Sequence, residues 1–171
     1  MDQLNRTDIE SFKVQEKNPF VIVLDNVRSM HNVGSAFRTG DAFAIEKIIL
    51  TGITATPPHR EIEKTALGAT QSVEWKHFAD NIEAIKALKD DGYEIWAVEQ
   101  AADSTPLQDF KIDTTQKIAL VFGNEVHGVD EDIMDLVDGC IEIPQFGTKH
   151  SFNVSVTIGI VLWDLVSKIK F

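Results

Sequence analysis

Three stretches far apart in the chain concentrate side chains that contribute little to a core. The first runs from Asp25-Asn26-Val27 through Asn32 to Arg38. The second is Val121-Phe122-Gly123-Asn124-Glu125-Val126-His127-Gly128, and the third is Ile143-Pro144-Gln145-Phe146-Gly147 followed by Ser151-Phe152-Asn153-Val154-Ser155. They combine a guanidinium, a carboxylate, amides, hydroxyls, and glycines that free backbone groups. Such groups orient a ligand. Arg38 offers five fixed donors and a permanent charge, suited to a phosphate or a carboxylate; a surface pair with Asp41 or Glu46 is the plainer alternative. Asn32, six residues earlier, falls on a nearby face of the same helix. Glu125 follows an apolar strand in a glycine turn, where it can accept from exposed amides, orient a cation, or cap the next helix. Ser151, Asn153 and Ser155 precede an apolar helix, and three polar residues exceed what one cap needs. Pro144 and Gly147 bracket a loop whose free backbone groups could grip an adenine or a carboxylate. His127 is set aside as an exposed turn residue.

Several classes are disfavoured. There is no GxGxxG fingerprint and no GxxxxGK[ST] loop, which argues against a dinucleotide enzyme or P-loop ATPase. The single cysteine, Cys140, excludes an internal disulfide and a cysteine-cluster metal site, and reads as a small buried hydrophobe. The polar start MDQLNRTDIESFK lacks a signal-peptide core, and the longest apolar stretch, Ile158–Trp163, is too short for a bilayer and is followed by Asp164. The expectation is a cytoplasmic protein with no membrane association, in which the sequons at Asn5 and Asn153 carry no meaning. The net charge of −11 runs against nucleic-acid binding. Yet Arg28, Arg38, His31, His59, Arg60, Lys64, Lys149 and His150 fall in or near the motif-like stretches, while much of the acid lies in 80–99 and 130–138. A solvated acidic surface and a bipolar charge distribution both fit.

The elements that must position these groups follow from apolar runs. Strands are expected at Phe20–Leu24, Lys47–Leu50, Val73–Phe78, Glu94–Val98, Ile118–Phe122 and Cys140–Ile143. Helices are expected at Val33–Phe43, Arg60–Leu67, Asn81–Lys89, Ile133–Val137 and Val154–Ile169, the last apolar around most of its circumference. Continuous apolar strands alternating with helices predict an α/β fold with a mainly parallel sheet covered on both faces, as one domain over residues 1–171. In such sheets ligands bind beyond the carboxyl ends of strands. All three stretches begin at or just after such ends, which predicts that they form one site.

Together the stretches resemble the three signature motifs of the SpoU family, within the SPOUT superfamily of RNA methyltransferases. The first is carried by Asn26, Asn32, Ala36 and Arg38. The second is Phe122-Gly123-Asn124-Glu125 with Gly128, and the third Ile143-Pro144, Gly147 and Ser151-Phe152-Asn153-Val154-Ser155. Lys64-Thr65-Ala66-Leu67-Gly68-Ala69 resembles the family's middle block. The resemblance implies a deep C-terminal trefoil knot, a feature otherwise close to absent from proteins. It also implies S-adenosyl-L-methionine (SAM) as cofactor, no metal, a homodimer packed partly through the last helix, and methylation of a ribose 2′-hydroxyl in tRNA or rRNA. By position, Arg38 would activate the hydroxyl, with Asn32, Glu125, Ser151 and Asn153 supporting the site. Gly123, Ile143, Ser151, Phe152 and Asn153 would contact the methyl donor, and Arg28, Arg38 and Lys149 the RNA. Phe152 stands where leucine is common, and Gln145-Phe146 replaces a methionine-type filler; both are expected to be packing changes in a cofactor wall.

No appended RNA-binding domain or long basic C-terminal tail is expected, which resembles minimal tRNA enzymes and places tRNA ahead of rRNA as the expected substrate. Two rivals remain: a non-catalytic RNA-binding or assembly protein that keeps the cofactor pocket, and a methyltransferase acting on a small molecule or a base.

Overall fold

The computed structural model describes residues 7–149 and 151–171. The Asn5 sequon, the first residues of the polar N-terminal segment and His150 lie outside the described residues. Seven strands form one sheet: β1 (Asn18–Asp25), β2 (Ile45–Thr51), β3 (Glu74–Phe78), β4 (Glu94–Val98), β5 (Thr105–Pro106), β6 (Ile118–Phe122) and β7 (Gly139–Glu142). Their order is β3-β2-β1-β6-β4-β7-β5, and every pair is parallel. The helices are α1 (Ile9–Val14), α2 (Met30–Ala42), α3 (Arg60–Ala66), α4 (Asn81–Asp90), α5 (Glu131–Met134) and α6 (Val154–Lys170), with a 3₁₀ turn at Leu107–Asp109.

Alternation along the central strands divides the core in two. Phe20, Ile22 and Leu24 of β1 and Leu120 and Phe122 of β6 face α2, α3 and α6, whose Val33, Phe37, Ile62, Ile158, Val161 and Leu162 are fully buried against them. Val21, Val23, Ala119 and Val121 point the other way, onto Ala84, Ile85 and Leu88 of α4 and Ile133 of α5. This is why β1 and β6 read as unbroken apolar runs: both faces are covered. Ser29 caps α2, accepting from Asn32 N, and Asp80 caps α4, accepting from Ile82 N and Glu83 N.

The connectivity is less regular than the alternation of elements. The chain lays down β4 and then β5 at the sheet's far edge, returns to the centre for β6, and inserts β7 between β4 and β5. The final helix then packs against the β5–β6 connection. Lys168 near its end donates to Leu107 O (2.7 Å) and Phe110 O (2.9 Å). The same ammonium lies 2.5 Å from Asp164 Oδ2, a contact without hydrogen-bond alignment. Two carbonyls and a carboxylate thus share one cation. Among the described residues no helix is long and apolar enough to cross a membrane.

Replacing Lys168 with alanine leaves two carbonyls and a half-buried carboxylate without their cation. Urea unfolding is expected to show a loss of about 2–3 kcal/mol, part of it recovered by adding Asp164→Asn. An unchanged midpoint in the single variant would show that the ammonium does not tie α6 to the 107–110 segment.

Candidate active site at the carboxyl rim of the sheet

A cleft of about 720 Å³ opens where β4, β6 and β7, three adjacent strands, come to their carboxyl ends. Its walls are Val98–Gln100 after β4, Phe122–Gly128 after β6, and Ile141–Ile143, Gln145 and Ser151–Val154 after β7, with Thr157 of α6. The second and third stretches therefore meet, as expected. Gly123, Glu125, Ile143, Ser151, Phe152 and Asn153 all line this cleft.

The turn after β6 is shaped by its own backbone. Asn124 and Gly128 exchange both backbone hydrogen bonds at 2.9 Å, and the Asn124 carboxamide oxygen accepts from Val126 N and His127 N. A Cβ on Gly123 would lie 2.0 Å from the Gly128 carbonyl carbon, so only glycine closes this loop. Gly128 sits at φ +73° with Glu99 packed against it. Glu99 holds the loop from the β4 side, accepting from Val129 N (3.3 Å) and Gln100 N (3.0 Å).

The first stretch does not line the cleft and is tied to it chiefly through Glu125. That carboxylate accepts from Arg28 N, Ser29 N and Asn32 Nδ2, each at 3.1 Å, and so clasps the start of α2. Glu125 does accept from exposed amides, but the helix start it grips is the earlier α2, not the helix that follows it. Burial alone would raise its carboxyl pKa. The hydrogen bonds from Arg28 N, from its own N–H, from Asn32 and from Ser29 N outweigh this and hold it below the ordinary glutamate value. Asn124 Nδ2 adds a bond to Asn26 O (3.1 Å). Below them Asp25, almost fully buried, accepts from Thr51 Oγ1, Asn26 Nδ2, Asn81 Nδ2 and Asp130 N, joining β1, β2, α4 and the β6 loop.

Arg38 is elsewhere. It lines a second concavity with Ser35, Thr39, Lys64, Thr65, Ser155, Val156 and Gly159. Asn32 and Arg38 do not share a face: six residues at 3.6 per turn put them about 120° apart. No ion pair to Arg38 is formed among the described residues, and Asp41 instead accepts from Ser72 Oγ. The first turn of α6 separates the two cavities. Asn153, Val154 and Thr157 line the cleft, whereas Ser155, Val156 and Gly159 face Arg38's concavity. Asn153 is also the cap of α6, accepting from Ser155 N (2.9 Å) and Ser155 Oγ (2.6 Å). Arg28 and Lys149 are exposed and outside the cleft lining.

Further readings need correction. Gln145 is part of the cleft wall, but Phe146 is 98% exposed and is not. Cys140 is only half-buried; burial, then the nearby Glu99 carboxylate, pushes its thiol pKa up. Glu99 and Glu142 line the cleft and were missed, although both stand at the carboxyl ends of apolar strands, where the same positional rule applies. The α4/α5 side carries Asp80, Glu83, Asp90, Glu131, Asp132 and Asp135 against Lys86 and Lys89, whereas on α2 and α3 the cations Arg38, Arg60 and Lys64 are balanced by Asp41, Glu61 and Glu63. There Lys64 (2.7 Å) and His31 (2.9 Å) pair with Glu61, whose carboxyl they hold below its ordinary pKa.

A sequence model of the SpoU rRNA methylase family matches residues 19–163, which include both cavities. The chain belongs to this family. It is 32% identical over 164 residues to the 23S rRNA (guanosine-2′-O-)-methyltransferase RlmB of Vibrio parahaemolyticus, a match covering 96% of this chain and 65% of that protein. The chain thus spans about two thirds of that relative's length. Among solved structures, an AdoMet-bound rRNA methyltransferase from Sinorhizobium meliloti superposes with a TM-score of 0.80 at 26% identity, covering 87% of this chain and 56% of that one. The A. aeolicus TrmH/SpoU tRNA modifying enzyme gives 0.80 at 26% identity, covering 94% and 79%.

The lowered carboxyl of Glu125 gives the clasp a pH signature. Its contribution to stability is complete above the unfolded glutamate pKa near ~4.3 and is lost as pH falls through the lower folded value. Glu125→Gln is expected to reduce stability at pH 7 and to flatten the acid branch of a pH–stability curve measured by denaturant titration. An acid branch identical to that of the wild type would show that the carboxylate charge does not hold α2.

Proposed function

We propose that this chain transfers the methyl group of S-adenosylmethionine to a ribose 2′-hydroxyl of RNA. The observation that carries the proposal is the cleft at the ends of β4, β6 and β7, in which the second and third motif stretches form opposing walls tied to the first by Glu125. Its size lies in the range of small-molecule sites, roughly 300–1,000 Å³. The donor set fits the cofactor: apolar Val98, Ile141, Ile143 and Phe152 for the adenine, amide and hydroxyl groups of Asn153, Ser151 and Thr157, and carboxylates of Glu99 and Glu142 for hydroxyls or a cation. When bound, the sulfonium supplies a methyl group that is already activated, so no metal is required. Among the described residues no cluster of His, Cys, Asp or Glu could hold one.

The rest is positioning. Holding a hydroxyl in line with its electrophile can be worth roughly 7–11 kcal/mol. The Arg38 guanidinium carries a permanent charge and five donors but no acceptor, which suits it to positioning rather than to taking a proton. Its role is to hold the phosphate beside the target ribose and to stabilise the negative charge developing on the 2′-oxygen while the hydroxyl proton is released to solvent water. Lys64 shares its concavity, and hydroxyls of Ser35, Thr39 and Ser155 surround it. Because α6 separates Arg38 from the cleft of its own chain, a homodimer is the arrangement that supplies a second cleft. Exposed Val156 and Trp163 on α6 and Phe171 just beyond it, with the Trp163 ring 6.4 Å from each of Phe43 and Phe171 in tilted contacts, are the face through which it would pack. The insertion of β7 between two earlier strands and the bonding of Lys168 to the β5–β6 connection support a C-terminal trefoil knot.

The RlmB relatives that match 96% of the chain are 23S rRNA methyltransferases and favour rRNA, while the similar solved structures include both an rRNA methyltransferase and a tRNA modifying enzyme. We therefore place ribosomal RNA first. Transfer of labelled methyl to bulk rRNA and tRNA, followed by digestion to nucleosides, is expected to give 2′-O-methylated ribose. Label on a base, or RNA binding without transfer, would support one of the rival readings instead. Arg38→Lys keeps the charge and loses the fork. It is expected to lower kcat by roughly 10²–10³ with SAM binding unchanged; full transfer by this variant would contradict the assigned role.

A further inference from the structure

The cofactor reading accounts for the cleft but leaves Phe146 unexplained. At 98% its ring is the most exposed large apolar side chain among the described residues, and it forms no ring pair. The other highly exposed phenylalanine, Phe171, makes a tilted ring contact with Trp163 at 6.4 Å. Phe146 follows Gln145, a cleft-wall residue, and so stands one Cα step of about 3.8 Å beyond that wall. Lys149, also exposed, lies three residues on in the same loop, and two more exposed apolar groups, Val126 and Phe152, sit on the cleft walls themselves. Aromatic rings interleaved with cations beside a groove are the general means of holding single-stranded nucleic acid, because every base has a π-face and every linkage a charge.

We infer that Phe146 is a stacking platform for an unpaired RNA base next to the ribose presented to the cleft, with Lys149 meeting the adjoining phosphate. The inference rests on the proposed RNA substrate. It is independent of Arg38, which lies in the other concavity.

The test uses the full chain with two probes: a short fluorescent single-stranded oligoribonucleotide of mixed sequence, and an abasic oligomer of the same charge. Phe146→Leu keeps an apolar side chain and removes the ring; Phe146→Trp keeps a ring. The leucine variant is expected to bind the base-containing probe about 5- to 150-fold more weakly and the abasic probe unchanged. The tryptophan variant should bind both as the wild type does. SAM affinity by calorimetry and mass by sedimentation equilibrium should stay the same in all three proteins. The inference is overturned if Phe146→Leu binds the base-containing probe normally, loses affinity equally for both probes, changes its sedimentation mass, or weakens SAM binding. The last two results would place the ring in a protein interface or in the cofactor wall. If Phe146→Leu shows the expected loss while the wild type transfers no methyl group to RNA, the enzymatic reading fails and this one stands.

Discussion

Parallel strands that end on one rim leave their next backbone amides without ladder partners, and a buried or half-buried amide must find an acceptor. In this protein two carboxylates supply much of that need. Asp25, at the end of the central strand β1, accepts from the β6 loop and from side chains of β2 and α4. Glu125, on the neighbouring β6 loop, accepts from the first amides of α2. The two link the start of α2, the glycine turn and the floor of the cleft. The cleft's shape is therefore inherited from the way the sheet satisfies its own edge. Glu99 extends the same principle one strand further, fixing the turn from the β4 side.

This arrangement divides the labour of the motif residues. Asn32 and Glu125 are bonded to each other, and Glu125 also lines the cleft, so this pair ties the start of α2 to the cleft wall. Asn153 combines capping of α6 with a place on the cleft wall, so the helix and the site share a starting point. Arg38 makes no ion pair among the described residues. The acidic total charge is compatible with an RNA partner because α4 and α5 carry much of the acid on the sheet face away from α2 and α3. A local field, rather than the net charge, steers a polyanion.

Much of this could be read before any coordinates. The long strands are visible as apolar runs because both faces of the sheet are covered, and the motif stretches lie at their carboxyl ends as the α/β rule requires. The two-residue β5 and the short α1 carry no periodic signal and were missed. Strand order, and with it the insertion of β7, is a matter of tertiary choice that no local pattern encodes. The Glu125–Asn32 bond joins residues 93 apart in sequence, so the glutamate's partner could not be named. The separation of Asn32 from Arg38 could have been found, because helical geometry alone sets them apart. Phe146 was assigned to the cofactor wall by analogy with a methionine at a similar place. Adjacent residues of an extended loop point in different directions, and Gln145 takes the wall instead.

The central claim is that the glycine turn after β6 is the cofactor's seat. A Cβ at Gly123 has no space against the Gly128 backbone. Calorimetric titration of S-adenosylmethionine into Gly123→Ala, with far-UV circular dichroism to show that the sheet persists, tests this most directly. The account predicts saturable binding by the wild type and none detectable by the variant. Equal affinity in the two proteins would contradict it.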